Sequence, residues 1–276
     1  MTYQLTGLDG KVAVVSGAGR MRSIGRPIAV ELARAGCDVV LTGTGRSPSD
    51  YPSDEQEAGW RDIESVAEEV RALGHRALTL VVDISDHAAV TSMAQQALAE
   101  FGRVDVLINN AAASRGADRV PVVDLDTALL ERVINVNLNG TFAMSKVFAQ
   151  QLITQGAGGS IINISSIAGK LAAANSAAYS ASKAAIHALT AAMAKEVGPR
   201  GVRVNSILPG MIDTSRLDDM RDSGRWDAVV KANIPLGRAG TDTDIAAMAV
   251  FLCSDQGSWI TGQQISVDGG HVALSW

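Results

Sequence analysis

The sequence of 276 residues contains little cysteine and few aromatic side chains. Its two cysteines, Cys37 and Cys253, lie far apart in apolar stretches, so we expect buried reduced thiols and no disulfide. Aromatic residues make up 4% of the chain and hydrophobic residues 47%, so the core must consist mainly of aliphatic side chains and alanine. This composition argues against an intrinsically disordered chain.

The chain also lacks a long apolar run and a basic surface. No segment reaches the roughly 18 uncharged apolar residues of a spanning helix, and residues 1–11 contain no apolar core of a signal peptide. The net charge is −5 and the basic residues are scattered, which favours neither a nucleic acid nor a membrane as a partner. The four histidines show no ligand spacing, so no metal is expected. We therefore expect a cytoplasmic protein that acts on a small molecule.

Short apolar runs alternate with amphipathic segments along the whole chain. Strands that are apolar at nearly every position are typical of a parallel sheet covered on both faces, and right-handed crossovers make such a sheet doubly wound. The sequence predicts an α/β fold: one Rossmann-type domain over residues 1–276, with seven parallel strands and helices on both faces. The predicted strands are 11–16, 38–42, 77–82, 104–109, 160–164, 202–208 and 264–267, and the helices are 24–35, 60–73, 88–101, 125–152, 174–197, pieces within 214–233, and 242–254.

A glycine-rich turn joins the first predicted strand to the first helix. Gly17, Gly19 and Gly25 lie within the segment SGAGRMRSIGR, residues 16–26. Glycine lets the backbone approach a pyrophosphate closely, and a helix N-terminus offers free N–H groups and the positive end of its dipole. The position after the first strand favours a dinucleotide site. A tight strand-to-helix turn without a ligand is the alternative.

The residues after the second strand bear on the choice of cofactor. An acid that holds the adenosine ribose of NAD is expected about 20 residues beyond the last glycine, but the sequence there reads Gly43, Thr44, Gly45, Arg46. Arg46, together with Arg20 and Arg22 of the glycine turn, could pair with a 2′-phosphate. This pattern favours NADP(H) and leaves NAD(H) possible. The alternative is that the three arginines are solvated loop residues.

A serine, a tyrosine and a lysine have the spacing of a proton-transfer site. Tyr179 and Lys183 are four residues apart in the helical segment YSASK and share one helix face, and Ser166 lies 13 residues before Tyr179. The lysine cation stabilises a phenolate and lowers its pKa, so that Tyr179 can pass a proton to or from a carbonyl oxygen at neutral pH. Taken alone, such a pair is usually an ordinary helix face.

These motifs together resemble those of the short-chain dehydrogenases/reductases, in the single-domain branch that includes the 3-oxoacyl-thioester reductases. The resemblance spans residues 8–270 and also includes Asp83, the segment NNAA from Asn109, Asn137 in NVNLNGTF, PGMIDT from Pro209, and TGQQISVDGG. It implies a catalytic tetrad of Ser166, Tyr179, Lys183 and Asn137, with Asn137 ordering a water that relays protons to Lys183. It also implies a homodimer or homotetramer, formed through helices 125–152 and 174–197. The implied cofactor-binding residues are Gly17, Gly19, Arg20, Ser23, Ile24, Gly25, Arg46, Asp83, Ile84, Asn110, Ala111, Tyr179, Lys183, Pro209, Gly210, Ile212 and Thr214.

Three features depart from the family pattern. The glycine turn is two residues longer than usual, with Ser23 in place of the middle glycine, and the loop over residues 43–59 is also long. The segment NNAA carries Ala112 where a glycine is usual. The resemblance favours a reversible oxidoreductase acting on a ketone or secondary alcohol. A cofactor-binding regulatory or scaffold protein is the alternative, and an epimerase or dehydratase would need a further substrate domain.

Overall fold

The computed structural model describes residues 5–274, so residues 1–4 and 275–276 of the predicted domain lie outside the described residues. This part of the chain forms one parallel sheet of seven strands in the order β3-β2-β1-β4-β5-β6-β7. The predicted seven-stranded, doubly wound fold is confirmed. The strands are β1 Val12–Ser16, β2 Asp38–Gly43, β3 Ala77–Val81, β4 Val106–Asn109, β5 Gly159–Ile164, β6 Val202–Pro209 and β7 Gln264–Val267.

Helices cover both faces of the sheet, and successive strand residues point into two different cores. Val14 of β1 lies in one core and Val15 in the other, as the period of two in a strand requires. Parallel register aligns one apolar residue from each of six strands in a single row that belongs to one face: Leu78, Val40, Val14, Leu107, Ile161 and Val204. Burial on both faces explains why the central strands β1 and β4 are apolar up to their last residue, Ser16 and Asn109, whereas β6 contains Arg203, Asn205 and Ser206.

The α-helices of residues 5–274 follow the predicted alternation with the strands. They are α1 Gly25–Arg34, α2 Ser53–Glu57, α3 Ile63–Ala72, α4 His87–Phe101, α5 Thr127–Ile134, α6 Thr141–Gln155, α7 Ala177–Val197, α8 Asp218–Asp222, α9 Trp226–Asn233 and α10 Asp242–Cys253. Within the described residues, none of these helices has both the length and the apolar character needed to cross a membrane.

The long helix predicted over residues 125–152 is interrupted. A π-helical turn, Asn135–Gly140, separates α5 from α6 and contains Asn137. Such turns insert an extra residue into a helix and leave the apolar periodicity on either side intact, so the sequence pattern does not reveal them. Gly140 fits this turn against Ile84, because a Cβ at Gly140 would lie 2.8 Å from two carbons of that side chain.

The polar stretch over residues 43–59 is not a plain loop. It contains a 3₁₀ turn, Pro48–Asp50, and the short helix α2, and helix α3 begins at Ile63, three residues later than predicted. Asp62 precedes α3 with a positive φ of 55°, an uncommon conformation for a residue with a side chain. This strained position is held by contacts to the glycine turn.

The two cysteines are free and buried, as predicted. The Cys37 thiol donates to the carbonyl of Leu8. Burial raises the pKa of the Cys253 thiol to about 12, so this thiol is neutral at physiological pH.

Candidate active site

The carboxyl ends of β1, β4 and β5 lie side by side at the centre of one sheet edge. The strand order runs outward from this point in both directions, from β1 to β3 on one side and from β4 to β7 on the other. Ligands of open parallel sheets bind at this topological switch point. The glycine turn follows β1, the segment Asn110–Ala112 follows β4, and Ser165 and Ser166 follow β5. The fold therefore brings the predicted cofactor turn and the predicted catalytic serine to the same edge.

The glycines of the turn fit closely against the segment that follows β4. A Cβ on Gly17 would lie 2.7 Å from Cα of Ala111, and one on Gly25 would lie 2.5 Å from the Asn110 amide nitrogen. The Asn110 amide donates to the carbonyls of Ser16 and Gly17, at 3.0 and 2.8 Å. These glycines are therefore required by packing within the protein as well as by any approach of a phosphate.

Ser23 closes the enlarged glycine turn. Its hydroxyl donates to the carbonyl of Arg20 at 2.8 Å and accepts from the backbone N–H of Arg26 at 3.4 Å. Ile24 at the start of α1 provides no side-chain cap, and the first turn of α1 carries no acidic residue. The N-terminus of α1 thus presents its positive dipole end to the site without a competing carboxylate of its own.

The long loop after β2 docks on the glycine turn. The Trp60 indole donates to the carbonyl of Gly19 at 2.6 Å, and Glu55 accepts from the backbone N–H of Met21 at 2.8 Å. Oδ1 of Asp62 lies only 1.4 Å from where a Cβ of Gly19 would be, so any larger residue there would displace the Asp62 carboxylate. The longer turn and the longer loop are therefore two halves of one packed unit.

This unit pairs two of the three arginines that the sequence analysis treats as available to a 2′-phosphate. Arg46 donates to the buried Glu55 at 2.8 Å and to Asp62 at 3.4 Å. Arg22 binds Asp54 and Asp218. Arg20 is exposed and has no carboxylate within ion-pair distance among residues 5–274. Of the three arginines, Arg20 is therefore the one that forms no ion pair within these residues.

The structure gathers the four residues of the predicted tetrad around α7. The Lys183 ammonium is buried, donates to the carbonyl of Ile164 at 2.8 Å, and lies 5.7 Å from the ring centre of Tyr179. Ser166 follows β5 in extended conformation, and its hydroxyl accepts from the backbone N–H of Ala168 at 3.1 Å. These side chains come from a strand end and one helix face, both rigid elements.

Asn137 is completely buried, and both ends of its side-chain amide make a hydrogen bond. Its carbonyl oxygen accepts from the backbone N–H of Ala113 at 2.8 Å, and its amide donates to the Ser182 hydroxyl at 2.9 Å. Ser182 in turn donates to the carbonyl of Tyr179. The π-helical turn is thereby fastened to the helix that carries Tyr179 and Lys183.

The electrostatics of the site favour the phenolate of Tyr179. Burial raises the pKa of the phenol, but the Lys183 and Arg216 cations, the nearby Ser166 hydroxyl and the Arg119 cation outweigh it, so the pKa lies below the ordinary value near 10. Burial also lowers the pKa of the Lys183 ammonium below its usual value near 10.5. Both groups thus titrate closer to neutrality than they would in water, which is typical of proton-transfer sites.

The remaining predicted cofactor residues lie at neighbouring strand ends. Asp83 is exposed after β3, and one of its oxygens accepts from the backbone and hydroxyl of Ser85. Ile84 is buried against the π-helical turn. At the end of β6, Gly210 lies against Asp268 of the segment after β7. The other members of this group are Pro209, which ends β6, and Ile212 and Thr214, which are buried in the loop that follows.

Two residues near the tetrad are absent from the sequence prediction. The guanidinium of Arg119, between β4 and α5, lies 4.5 Å from the ring centre of Tyr179, and that of Arg216, between β6 and α8, lies 5.1 Å from it. Arg119 lies in a loop and Arg216 in the 3₁₀ turn Ser215–Leu217, within the segments 113–121 and 211–235 whose loop character indicates a substrate pocket without singling out either arginine.

Comparison with known proteins gives full-length matches. The family model described as enoyl-(acyl carrier protein) reductase matches residues 17–272. The chain is 35% identical to L-rhamnose 1-dehydrogenase (NAD(P)(+)) of Sphingomonas sp. over 95% of this chain and 96% of that protein. It is 34% identical to 2-dehydro-3-deoxy-D-gluconate 5-dehydrogenase of Dickeya dadantii, over 96% and 97%.

Among solved structures, the chain resembles 7α-hydroxysteroid dehydrogenase complexed with NADH and 7-oxo glycochenodeoxycholic acid. The TM-score is 0.82 at 33% identity, and the alignment covers 96% of this chain and 95% of that one. Fold and sequence therefore agree over nearly the whole length of both chains.

Proposed function

The chain belongs to the short-chain dehydrogenase/reductase family, and from this premise we propose that Ser166, Tyr179, Lys183 and Asn137 form its catalytic tetrad. The protein is an NAD(P)(H)-dependent oxidoreductase that interconverts a ketone and a secondary alcohol. The observation that carries the residue assignment is the Lys183 ammonium beside the Tyr179 ring, in surroundings that lower the pKa of the phenol. Nothing observed here favours the alternative of a non-catalytic scaffold.

Tyr179 is assigned the proton transfer. In the reduction it donates the phenolic proton to the carbonyl oxygen, and in the oxidation its phenolate accepts the proton of the alcohol. Ser166 holds the same oxygen by a hydrogen bond, and Lys183 keeps the phenolate form accessible at neutral pH. The substrate oxygen is therefore positioned and protonated by this chain's own side chains.

Asn137 is assigned the relay that resupplies the proton. Its side chain bonds the Ala113 backbone N–H and the Ser182 hydroxyl, which holds the π-helical turn beside α7, and the relay water is proposed to lie at this turn. A relay that ends at the Lys183 ammonium would return the proton to Tyr179 after each turnover.

The residues around the glycine turn fit a nicotinamide dinucleotide. The uncapped N-terminus of α1 and the glycines would hold its pyrophosphate, Asp83 its adenine, and Lys183 a hydroxyl of the nicotinamide ribose. The loop after β6, with Ile212 and Thr214, would hold the nicotinamide amide. When bound, the cofactor supplies or accepts the hydride.

A spectrophotometric screen tests this assignment. Purified protein is incubated with NADPH or NADH and a ketone library, and with NADP⁺ or NAD⁺ and the matching alcohols, while absorbance of the reduced nicotinamide is followed. We expect turnover of at least one ketone–alcohol pair. Turnover that is as fast in a Ser166→Ala, Tyr179→Phe double variant would refute the tetrad.

For the cofactor, we propose a preference for NADP(H) that rests on Arg20. The sequence analysis gives the phosphate contact to Arg20, Arg22 or Arg46, but Arg22 and Arg46 are already paired with carboxylates. Arg20 is exposed, lies in the glycine turn and forms no ion pair with a carboxylate among residues 5–274. Glu55 and Asp62 beside it would oppose a 2′-phosphate, so Arg20 decides the balance.

The Arg20→Ala variant is expected to lower the ratio of kcat/KM for NADPH to that for NADH by roughly ten- to a hundredfold, the effect of one charge-assisted hydrogen bond. The control Arg34→Ala removes an exposed arginine on α1 and leaves the ratio unchanged. Arg46→Ala is expected to lower Tm instead, because Glu55 would be buried without its partner. A wild-type preference for NADH would contradict the proposal.

We also propose a homo-oligomer in the cytoplasm, on the strength of the family resemblance. Phe142 on α6 is 45% exposed and Leu130 on α5 is 36% exposed, on the helical segment that the resemblance assigns to a subunit interface. α7 adds exposed Ala181, Ala188 and Ala192, small residues that allow close helix packing. Light scattering of the purified protein is expected to give a dimer or tetramer, and a monomeric mass would contradict this.

A further inference from the structure

Two arginine side chains converge on the ring of Tyr179 from opposite loops. The Arg119 guanidinium lies 4.5 Å and the Arg216 guanidinium 5.1 Å from the ring centre, and the Lys183 ammonium lies 5.7 Å from the same point. All three cationic side chains are buried or partly buried. The proposed proton-transfer residue therefore stands among three positive charges.

These charges are poorly compensated within the described residues. Arg216 donates to the carbonyl of Ala113 at 2.9 Å and has no carboxylate within ion-pair distance there. Arg119 has Asp118 at 3.4 Å from its Nε, yet this buried Nε makes no hydrogen bond, and Asp118 accepts from the backbone of Gly116. By contrast, the neighbouring Arg115 is paired with Asp219 at 2.8 Å.

Such an arrangement is costly in the absence of an anion. Two guanidinium groups and an ammonium repel one another, and each loses hydration where it is partly buried. Burial lowers the pKa of Arg119, and the Arg216 and Arg115 cations lower it further while Asp118 opposes them. A carboxylate would relieve the repulsion and can accept two parallel hydrogen bonds from a guanidinium.

We propose that the substrate carries a carboxylate, bound by Arg119 and Arg216, in the same molecule as the carbonyl or hydroxyl that reacts at Tyr179. This substrate class, an oxo acid or hydroxy acid, rests on the proposed function of Tyr179. The two guanidinium groups lie 4.5 and 5.1 Å from the centre of the ring that carries the reacting hydroxyl, so the proposed carboxylate belongs to the molecule that reacts there. A neutral ketone would offer the two guanidinium groups no such acceptor.

A phosphate of the cofactor is a second possible source of the anion. Arg216 also lies close enough to Arg20 of the glycine turn to lower the pKa of that side chain, after burial and Arg46. Arg119 has a buried Nε that makes no hydrogen bond within the described residues, whereas Arg216 already donates to the carbonyl of Ala113. We therefore assign the carboxylate primarily to Arg119, and the experiment is built on that residue.

The test compares each of three oxo acids with its own methyl ester: 3-oxobutanoate, 4-oxopentanoate and 5-oxohexanoate. For wild-type protein we expect at least one acid to exceed its ester about tenfold in kcat/KM, and glutarate to inhibit competitively against the ketone. Arg119→Gln is expected to lower kcat/KM for that acid roughly ten- to a hundredfold more than for the ester, because the weaker stabilisation of the Tyr179 phenolate affects both compounds alike. Arg115→Gln, whose charge is paired with Asp219, is the matched control and should change neither.

Binding is measured separately from turnover. Calorimetry with 4-oxopentanoate and the protein–NADP⁺ complex is expected to give a Kd that rises about tenfold or more in Arg119→Gln, while the Kd for NADP⁺ stays within threefold. Circular dichroism verifies that the variant is folded, and Arg119→Lys, which keeps the charge but not the planar fork, is expected to recover part of the affinity.

The outcomes distinguish a failure of the carboxylate assignment from a failure of the proposed oxidoreductase function. Equal use of acids and esters with no inhibition by glutarate would overturn the carboxylate assignment and leave the proposed function intact. So would an Arg119→Gln variant that loses affinity for NADP⁺ but keeps its preference for the acid. Reduction of no carbonyl compound with either cofactor would instead count against the proposed function, and calorimetry would still decide whether Arg119 binds a carboxylate.

Discussion

Tyr179→Phe is expected to lower kcat by roughly 10² to 10⁴-fold, the range that a positioned general acid or base contributes. The substitution removes the phenolic hydroxyl and keeps the ring, so the contacts of Arg119 and Arg216 with the ring face are retained. The Kd for NADPH, followed by fluorescence titration, should stay within a few fold. The effect should therefore appear in turnover and not in cofactor binding.

Tyr51→Phe provides the matched control. Tyr51 is also largely buried and also lies beside a guanidinium, with the Arg46 group 4.6 Å from its ring centre, but it stands in the loop after β2. Its loss of a hydroxyl should leave kcat unchanged. A Tyr179→Phe enzyme with more than a tenth of wild-type kcat would remove Tyr179 from the proton-transfer step.

Lys183→Ala is expected to impair both turnover and cofactor binding. Loss of the ammonium raises the pKa of Tyr179, because one of the cations that stabilises the phenolate is gone. Oxidation of an alcohol needs the phenolate, so the rate of oxidation should reach its plateau at a higher pH in the variant than in wild type. At pH 7, kcat should fall about a hundredfold or more. Loss of the ribose contact should raise the Kd for the cofactor roughly ten- to a hundredfold.

Lys195→Ala, an exposed lysine near the end of the same helix, is the control and should alter neither quantity. The pH dependence of kcat over pH 6 to 10 and a cofactor titration are both required. If the pH profile shifts and the Kd for the cofactor does not change, Lys183 acts on the pKa of Tyr179 and does not bind the ribose.

The regular part of the molecule could be predicted from the sequence because apolar runs and their spacing determine it. The seven strands end within two residues of their predicted bounds, and YSASK lies on a helix that places Tyr179 and Lys183 on one face. Strand ends in a parallel sheet meet at one edge, so the placement of Ser166 and the glycine turn followed from the fold class. The roles of these residues stay predictions.

The irregular segments could not be predicted because their positions depend on long-range contacts. Arg46 reads as a free cation in the sequence, and its pairing with Glu55 and Asp62 depends on how a loop of nearly twenty residues folds back on the glycine turn. Arg119 and Arg216 reach Tyr179 from loops separated by about a hundred residues. From the sequence, the glycines of the turn indicate only the close approach of a ligand. In the structure they also pack closely against Asn110, Ala111 and Asp62.

The π-helical turn at Asn135–Gly140 sets the rotational phase between α5 and α6. Each residue of an α-helix advances the chain by about 100°, so removing one residue from this turn would restore a continuous α-helix and rotate α5 by about that angle relative to α6. Val133, which α5 buries against Ala178 of α7, would then swing out of that contact, and Asn137 would leave its bonds to Ala113 and Ser182. The length of this segment is therefore fixed by angular alignment, and a single deletion there is less tolerable than most substitutions.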